Sequence, residues 1–174
     1  MQLIQNGIAP GWSIRPLQPA DRVALAEGFH RLSAETRRRR YLGIRSELTE
    51  VELDVLTGRR ADVAPALAAV GAGGDLIGVA RAGPEPGDPE TVHIGVVVAD
   101  CWQGHGIGSA LLAALADRER SRGVRHLRAS TLADNAPVKH MLRSAGAYDW
   151  HSLGDGVIEA TVDLPPVATG VHAA

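Results

Sequence analysis

VVVADCWQGHGIGSALL, residues Val96–Leu112, passes from an apolar strand through a short turn and a glycine-rich loop into an amphipathic helix. After Ile107, apolar residues recur at Ala110, Leu111, Ala114 and Leu115, offsets of three, four, seven and eight that line one face of an α-helix. The loop Gln103–Gly108 therefore leads into the helix N-terminus, where backbone N–H groups lack intrahelical partners and the dipole is positive. Gly104, Gly106 and Gly108 carry no side chain, so the backbone can come close to an anion. The local reading is a cradle for a diphosphate. Two other phosphate loops do not fit. The Rossmann loop needs G-x-G-x-x-G, whereas these glycines alternate, and the Lys-Ser/Thr pair of a P-loop is absent.

Composition narrows the class. The chain has 174 residues, enough for one domain with a proper core. A net charge of −2 supplies no basic field for nucleic acid. The single cysteine, Cys101, rules out an internal disulfide framework and suits a reducing cytoplasm. No apolar run reaches the ~18 residues of a membrane span, and no basic-then-apolar secretory signal opens the chain. With aromatic residues at only 3%, core packing falls to Val, Leu, Ile and Ala. The expectation is a cytoplasmic α/β protein that binds neither nucleic acid nor membrane.

Residues 1–11 read as a loose N-terminal arm and residues 165–174 as a flexible tail. Between them, Trp12–Leu17 reads as a strand and Asp21 as the N-cap of a helix carrying Val23, Leu25, Ala26, Phe29 and Leu32. Ser33 opens a second short helix that stops at Gly43, and Thr49-x-x-Glu52 is a capping box for a third. Val63–Val70 and Leu76–Ala82 predict a β-hairpin, with Gly83–Pro89 a proline-rich loop beyond it. Glu90–Ala99 is the central strand. The helix after the glycine loop runs to about Arg122 and is stopped by Gly123. His126–Leu132 is the next strand. Asp134 or Asn135 then caps a helix with Pro137 in its first turn and Val138, Met141, Leu142 and Ala145 as its buried stripe. A final hairpin pairs Ala147–Leu153 with Val157–Leu164 around Gly154-Asp155-Gly156.

Gln103-Gly104-His105-Gly106-Ile107-Gly108 after an apolar strand matches Q/R-x-x-G-x-G/A, and so resembles the coenzyme A pyrophosphate loop of the GNAT superfamily of N-acetyltransferases. The order of elements resembles that fold from Trp12 to Leu164. IRPLQPAD (Ile14–Asp21) and LSAETRRRRYL (Leu32–Leu42) look like its N-terminal part, and the most similar subgroup is the acyltransferase domain of bacterial protein-lysine acetyltransferases. The resemblance implies an α/β (α+β) fold, a mixed central sheet with a splayed strand pair and flanking helices, as one domain over residues 12–164. It implies acetyl transfer from acetyl-CoA, without a metal, to a primary amine on a small molecule or a protein. It is also compatible with a homodimer.

By the same resemblance, backbone groups of Val96, Val97 and Val98 would bond the pantetheine arm. The pyrophosphate would lie on the amides of Gly104, His105, Gly106, Ile107, Gly108 and Ser109, with Gln103 heading the motif. Ser109 adds a hydroxyl donor, and His105 a donor or a positive charge. Asn135 matches the family's asparagine after the following strand, a role compatible with capping a helix. A lysine-like amine with a pKa of ~10.4 costs about 4–5 kcal/mol to deprotonate at neutral pH, so a base is valuable. Three residues before the pantetheine trio, where the superfamily often has a glutamate, stands His93. Imidazole accepts protons at cellular pH. Strand alternation puts His93, Gly95 and Val97 on one face and Ile94, Val96 and Val98 on the other. The tyrosine that protonates the leaving thiolate in many members is matched by Leu142, and Tyr148 lies beyond Gly146. That departure leaves a second reading open, a catalytically weak or inactive module that binds or senses acyl-CoA.

Other features carry less. Arg37–Arg40 on a short helix reads as a solvated face; if functional, it would meet the 3′-phosphate of coenzyme A or an acidic partner. Nothing beside Cys101 in sequence marks it as a nucleophile. The seven histidines show no metal-ligand spacing. Trp102 is expected to pack beneath the glycine loop.

Overall fold

The structure is a computed structural model and describes residues 11–60 and 63–166. The expected arm and tail lie outside the described residues except at Gly11, Pro165 and Pro166. Trp12–Pro16 is β1; Arg22–Arg31, Ala34–Tyr41 and Glu50–Leu56 are α1, α2 and α3. Leu67–Gly71, Leu76–Glu85 and Asp88–Val98 are β2, β3 and β4. Ile107–Ser121 is α4, His126–Leu132 is β5 and Ala136–Ser144 is α5. Tyr148–Gly154 and Val157–Asp163 are β6 and β7. The strands form a mostly antiparallel sheet in the order β1-β2-β3-β4-β5-β7-β6, with β4 and β5 parallel, which is the mixed α/β architecture expected. Among the described residues, packing divides the chain into two compact units, one of residues up to 81 with 96–112, the other of residues 82–95 with those from 113 onward.

In the first unit, local chemistry sets the helix ends. Ser33 caps α2, its hydroxyl accepting from the Thr36 amide, and Thr49 and Glu52 form the expected capping box on α3. Such caps are each worth about 1 kcal/mol. Two ends differ from expectation. Asp21 precedes α1, but its carboxylate turns back to accept from the Gln18 amide (2.7 Å) and from Arg15 (2.6 and 2.8 Å), because an ion pair with a guanidinium outcompetes a cap. α2 ends at Tyr41, two residues before Gly43, with Leu42 itself in the left-handed region at φ 57°. The first strand of the expected hairpin is also shorter: β2 begins at Leu67, and Val63–Ala66 stay outside it. Leu17, Leu25, Leu53, Leu56, Ala66 and Ala68 form one buried cluster, and Ile107, Leu111 and Leu112 bury the start of α4. Burying each such Leu or Ile contributes roughly 1.5–3 kcal/mol.

In the second unit, β5 and β7 pair along their whole lengths, from His126↔Asp163 to Leu132↔Val157. Leu127, Ala129, Ala160 and Val162 supply the apolar face, and all four are buried. His126, Arg128, Ser130, Glu159 and Asp163 take the alternate positions and form a polar face. β6 and β7 close through Asp155-Gly156, both at positive φ (49° and 73°), the conformation of a two-residue hairpin turn. The proline-rich loop expected at Gly83–Pro89 is instead a hairpin. β3 runs on to Glu85, β4 begins at Asp88, and Pro86-Gly87 alone turns the chain, with Gly87 at φ 81°. Proline preset for the first turn position and glycine free to adopt positive φ at the second make that dipeptide a turn rather than a long loop. α5 also departs from expectation: of its apolar stripe Leu142 is buried, Val138 and Met141 are half-buried, and Ala145 is exposed.

Candidate active site

The glycine loop is exposed from Gln103 to Gly106, and Gly104 and Gly106 hold φ of 79° and 78°. Among the described residues, no atom beyond the chain neighbours lies within 4 Å of where a Cβ on either would sit. Glycine is thus required by backbone conformation, and the space beside it is open. The Ala110 amide donates to Gly106 O (3.0 Å), so the amides of Ile107, Gly108 and Ser109 precede the first helical bond of α4. The Ile107 side chain is packed into the core, which leaves its N–H as the group it offers, while Ser109 is exposed. The His105 Nδ1–H donates to Gln103 O (2.8 Å), and its ring meets the half-buried Trp102 edge-on at 6.2 Å. Trp102 accordingly flanks the loop histidine rather than lying wholly beneath the loop. Among the described residues, the loop has the features a diphosphate needs: amides with no backbone acceptor, a helix N-terminus and no obstructing side chain.

Sequence reading missed what anchors this loop. Asp100 accepts three hydrogen bonds from the start of α2: from the Ser33 amide (2.9 Å), the Ser33 hydroxyl (2.6 Å) and the Thr36 hydroxyl (2.7 Å). Desolvation pushes the Asp100 carboxyl up, but the bonds from Ser33 and Thr36 together outweigh it and hold the group below the ordinary carboxylate range. Gln103 belongs to the same network. Its side-chain amide donates to Thr36 Oγ1 and to Val98 O, each at 3.1 Å, so it braces the loop from within.

The three valines of β4 are not equivalent. Val97 O lies on the β3 side, 3.2 Å from the position of a Gly78 Cβ, and the Ala99 amide donates to Ile77 O of β3 (2.9 Å). Backbone groups alternate along a strand, so Val96 and Val98 present theirs at the opposite edge, where Val98 O already accepts from Gln103. Among the described residues, the β4–β5 ladder has three rungs and ends at His93↔Arg128.

His93 sits on the polar face of the second unit. Its Nε2 is hydrogen-bonded to Glu85 Oε2, which also accepts from Arg128 Nη1 (3.4 Å). Its Nδ1 lies 3.9 Å from Glu159 Oε2. Glu159 is buried, accepts from the Ser130 hydroxyl (2.9 Å) and has His151 Nε2 at 3.7 Å on its other oxygen. Register explains the gathering: His93 stands opposite Arg128, and Glu159 opposite both Ser130 and His151. Glu85, Arg128, Ser130 and Glu159 were not legible as site residues, although a lone glutamate in the apolar run Val157–Ala160 is a signal.

The remaining candidates are placed as follows. Asn135 is buried and caps α5, its Oδ1 accepting from the Val138 amide at 3.4 Å. Leu142 is fully buried. The Tyr148 hydroxyl donates to Asp163 (2.8 Å), a bond that raises the phenol above its ordinary range and ties it to the His126 end of β5. Cys101 is free and exposed. Arg37–Arg40 are not a uniformly solvated face: Arg38 and Arg39 pair with Glu35, Arg37 lies over Phe29, and Arg40 over Tyr41. Together Arg38 and Arg39 hold the Glu35 carboxyl down at about 2. Among the described residues no group of three or more His, Cys, Asp or Glu is arranged to hold a metal ion, and no helix is long and apolar enough to cross a membrane.

Acetyltransferase Pat of Mycolicibacterium smegmatis is 31% identical over 156 residues, covering 90% of this chain and 46% of that protein, so the chain spans about half the length of this relative. The GNAT domain of S. lividans PAT superposes with a TM-score of 0.76 at 27% identity, over 87% of this chain and 89% of that one. The structure of yncA from Salmonella typhimurium with its cofactor acetyl-CoA shares the fold at a TM-score of 0.73 and 22% identity, over 93% and 99% of the two chains. The model of the acetyltransferase (GNAT) family matches residues 34–147, and the chain belongs to that family.

Proposed function

We propose that this chain transfers an acetyl group from acetyl-CoA to a primary amine, as one acetyltransferase domain over residues 12–164. The observation that carries the reading is the exposed loop at the start of α4, with left-handed Gly104 and Gly106 and first-turn amides that precede the first helical bond. Acetyl-CoA supplies a thioester carbonyl activated toward amines. Its diphosphate rests on the amides of Gly104–Ser109, assisted by the Ser109 hydroxyl and by His105. Val96 and Val98, whose backbone groups face away from β3, bond the pantetheine arm, and Asn135 adds an amide from the head of α5. Gln103 acts indirectly, through the loop it braces.

The acceptor arrives as an ammonium, which has no lone pair to attack with. His93 takes one proton, the neutral nitrogen forms the C–N bond, and the C–S bond breaks with its electron pair left on sulfur. The nitrogen's second proton neutralises that thiolate, so charge and atoms balance. Titrating acetyl-CoA into the protein by calorimetry, followed by thiol release over a panel of amines and proteins, tests the reading. Heat and release are expected; no heat overturns it. Binding without release over the whole panel would favour an acyl-CoA-sensing module, the alternative to which the buried Leu142 at the family's tyrosine position points.

A further inference from the structure

His93 has two ring nitrogens, and only one of them can serve as the proton acceptor. We infer that Glu85 is a positioning residue: it holds His93 as the Nε2–H tautomer and so turns a basic Nδ1 toward the gap in front of Glu159. The inference rests on the reading of His93 as the base. Glu85 Oε2 also faces Arg128 Nη1 at 3.4 Å, and a guanidinium only donates. The oxygen between these two groups is therefore an acceptor for both, and the proton of the shared bond belongs to His93 Nε2. Nδ1 is then left with its lone pair.

What Nδ1 faces gives the arrangement its use. Glu159 Oε2 is 3.9 Å away, too far for a direct hydrogen bond. Two acceptors at that separation suit one donor seated between them, at ~2.8 Å from each and with about 90° between its two bonds. An ammonium or a water molecule has two hydrogens at nearly that angle. Ser130 steadies Glu159 by donating to the same oxygen (2.9 Å), and His151 stands at its other oxygen (3.7 Å). Side-chain groups from three other strands, β3, β5 and β7, thus gather around the imidazole that β4 supplies.

The tautomer is read directly from ¹⁵N chemical shifts of the imidazole in the full chain, without any turnover. The expected wild-type spectrum shows His93 protonated at Nε2 with a bare Nδ1 when the ring is neutral. Glu85→Leu removes the acceptor and should give a mixture of tautomers, a kcat at least 10-fold lower, and an acetyl-CoA Kd within twofold of wild type. Glu85→Gln keeps an acceptor oxygen of the same reach and should restore the tautomer and most of kcat. A wild-type Nδ1–H tautomer, or a Glu85→Leu kcat within twofold of wild type, overturns the role of Glu85. Failure of the underlying reading looks different: His93→Ala would keep its kcat whatever the tautomer in the wild-type protein.

Discussion

Gly78 in β3 is where the sheet admits α4, and replacing it with alanine is a sharp test of that packing. A Cβ built there would lie 3.0 Å from Leu111 Cδ1, 3.2 Å from Val97 O and 3.4 Å from Ile107 Cγ2. Leu111 and Ile107 are both almost wholly buried, so either side chain would have to push into close-packed neighbours to retreat. Val97 O is backbone and cannot yield without moving β4. Against this, alanine loses less conformational entropy than glycine on folding, a gain of about 0.5–1 kcal/mol. Overpacking of this kind costs about 1–3 kcal/mol, so the cost prevails by about 1 kcal/mol or a little more. At roughly 2–4 °C per kcal/mol for a chain of this size, Gly78→Ala should melt about 2–5 °C lower by circular dichroism. The displaced strand also carries Val96 and Val98, so acetyl-CoA should bind several-fold more weakly by calorimetry. Leu111→Ala added to Gly78→Ala should cost less than Leu111→Ala alone, because the new methyl partly fills the vacated space. A melting temperature equal to or above wild type, with unchanged affinity, would refute this account of the β3–α4 contact.

Two further substitutions test the loop and its anchor. Gly106→Ala meets no neighbouring atom but must sit at φ 78°, a strain of about 1–2 kcal/mol, so acetyl-CoA affinity should fall roughly 5- to 30-fold if the loop relaxes to escape it; isothermal titration reads the change, and intact affinity together with an intact melting temperature would contradict the left-handed loop. Asp100→Asn should destabilise by about 1 kcal/mol at neutral pH, since the carboxylate's bonds to Ser33 and Thr36 are largely exposed. The Asp100 pKa is lowered in the folded state, so its contribution is fully present above the unfolded carboxylate value of ~3.9 and is lost as pH falls through the lower, folded value. Melting curves of the two proteins should therefore converge in acid; a gap that persists there would assign the effect to shape and not to charge.

Local signals in the sequence located local structure. The 3.6-residue period after Ile107, the box of Thr49 and Glu52, and the caps at Ser33 and Asn135 each depend on neighbours a few residues apart, and each was legible. The Gly83–Pro89 segment was not. Three prolines suggested a loop, yet Pro84 lies exposed within β3 and Pro86 serves the turn itself. The helix end at Leu42 was misplaced because glycine is the usual left-handed residue and a leucine took the position instead. In the site, the loop glycines and His93 could be named from motif and spacing. The groups around His93 could not, because Glu85, Arg128 and Glu159 meet only through the pairing of β4, β5, β7 and the length of one turn. The bond between Asp100 and the head of α2 was hidden likewise, since tertiary packing alone brings residues 33 and 100 together.

That turn has a consequence for how the protein tolerates change. Pro86-Gly87 is the shortest span by which one strand can double back on the next, and Glu85 is the last strand residue before it. One extra residue inserted there would slide β3 against β4 by a single step, and a single step carries a side chain through the sheet to its other side. The carboxylate would then be on the wrong surface for the imidazole, with the composition of the site unaltered. A two-residue connection thus acts as a ruler, and insertions that most surface bends absorb would here disconnect the histidine from its partner.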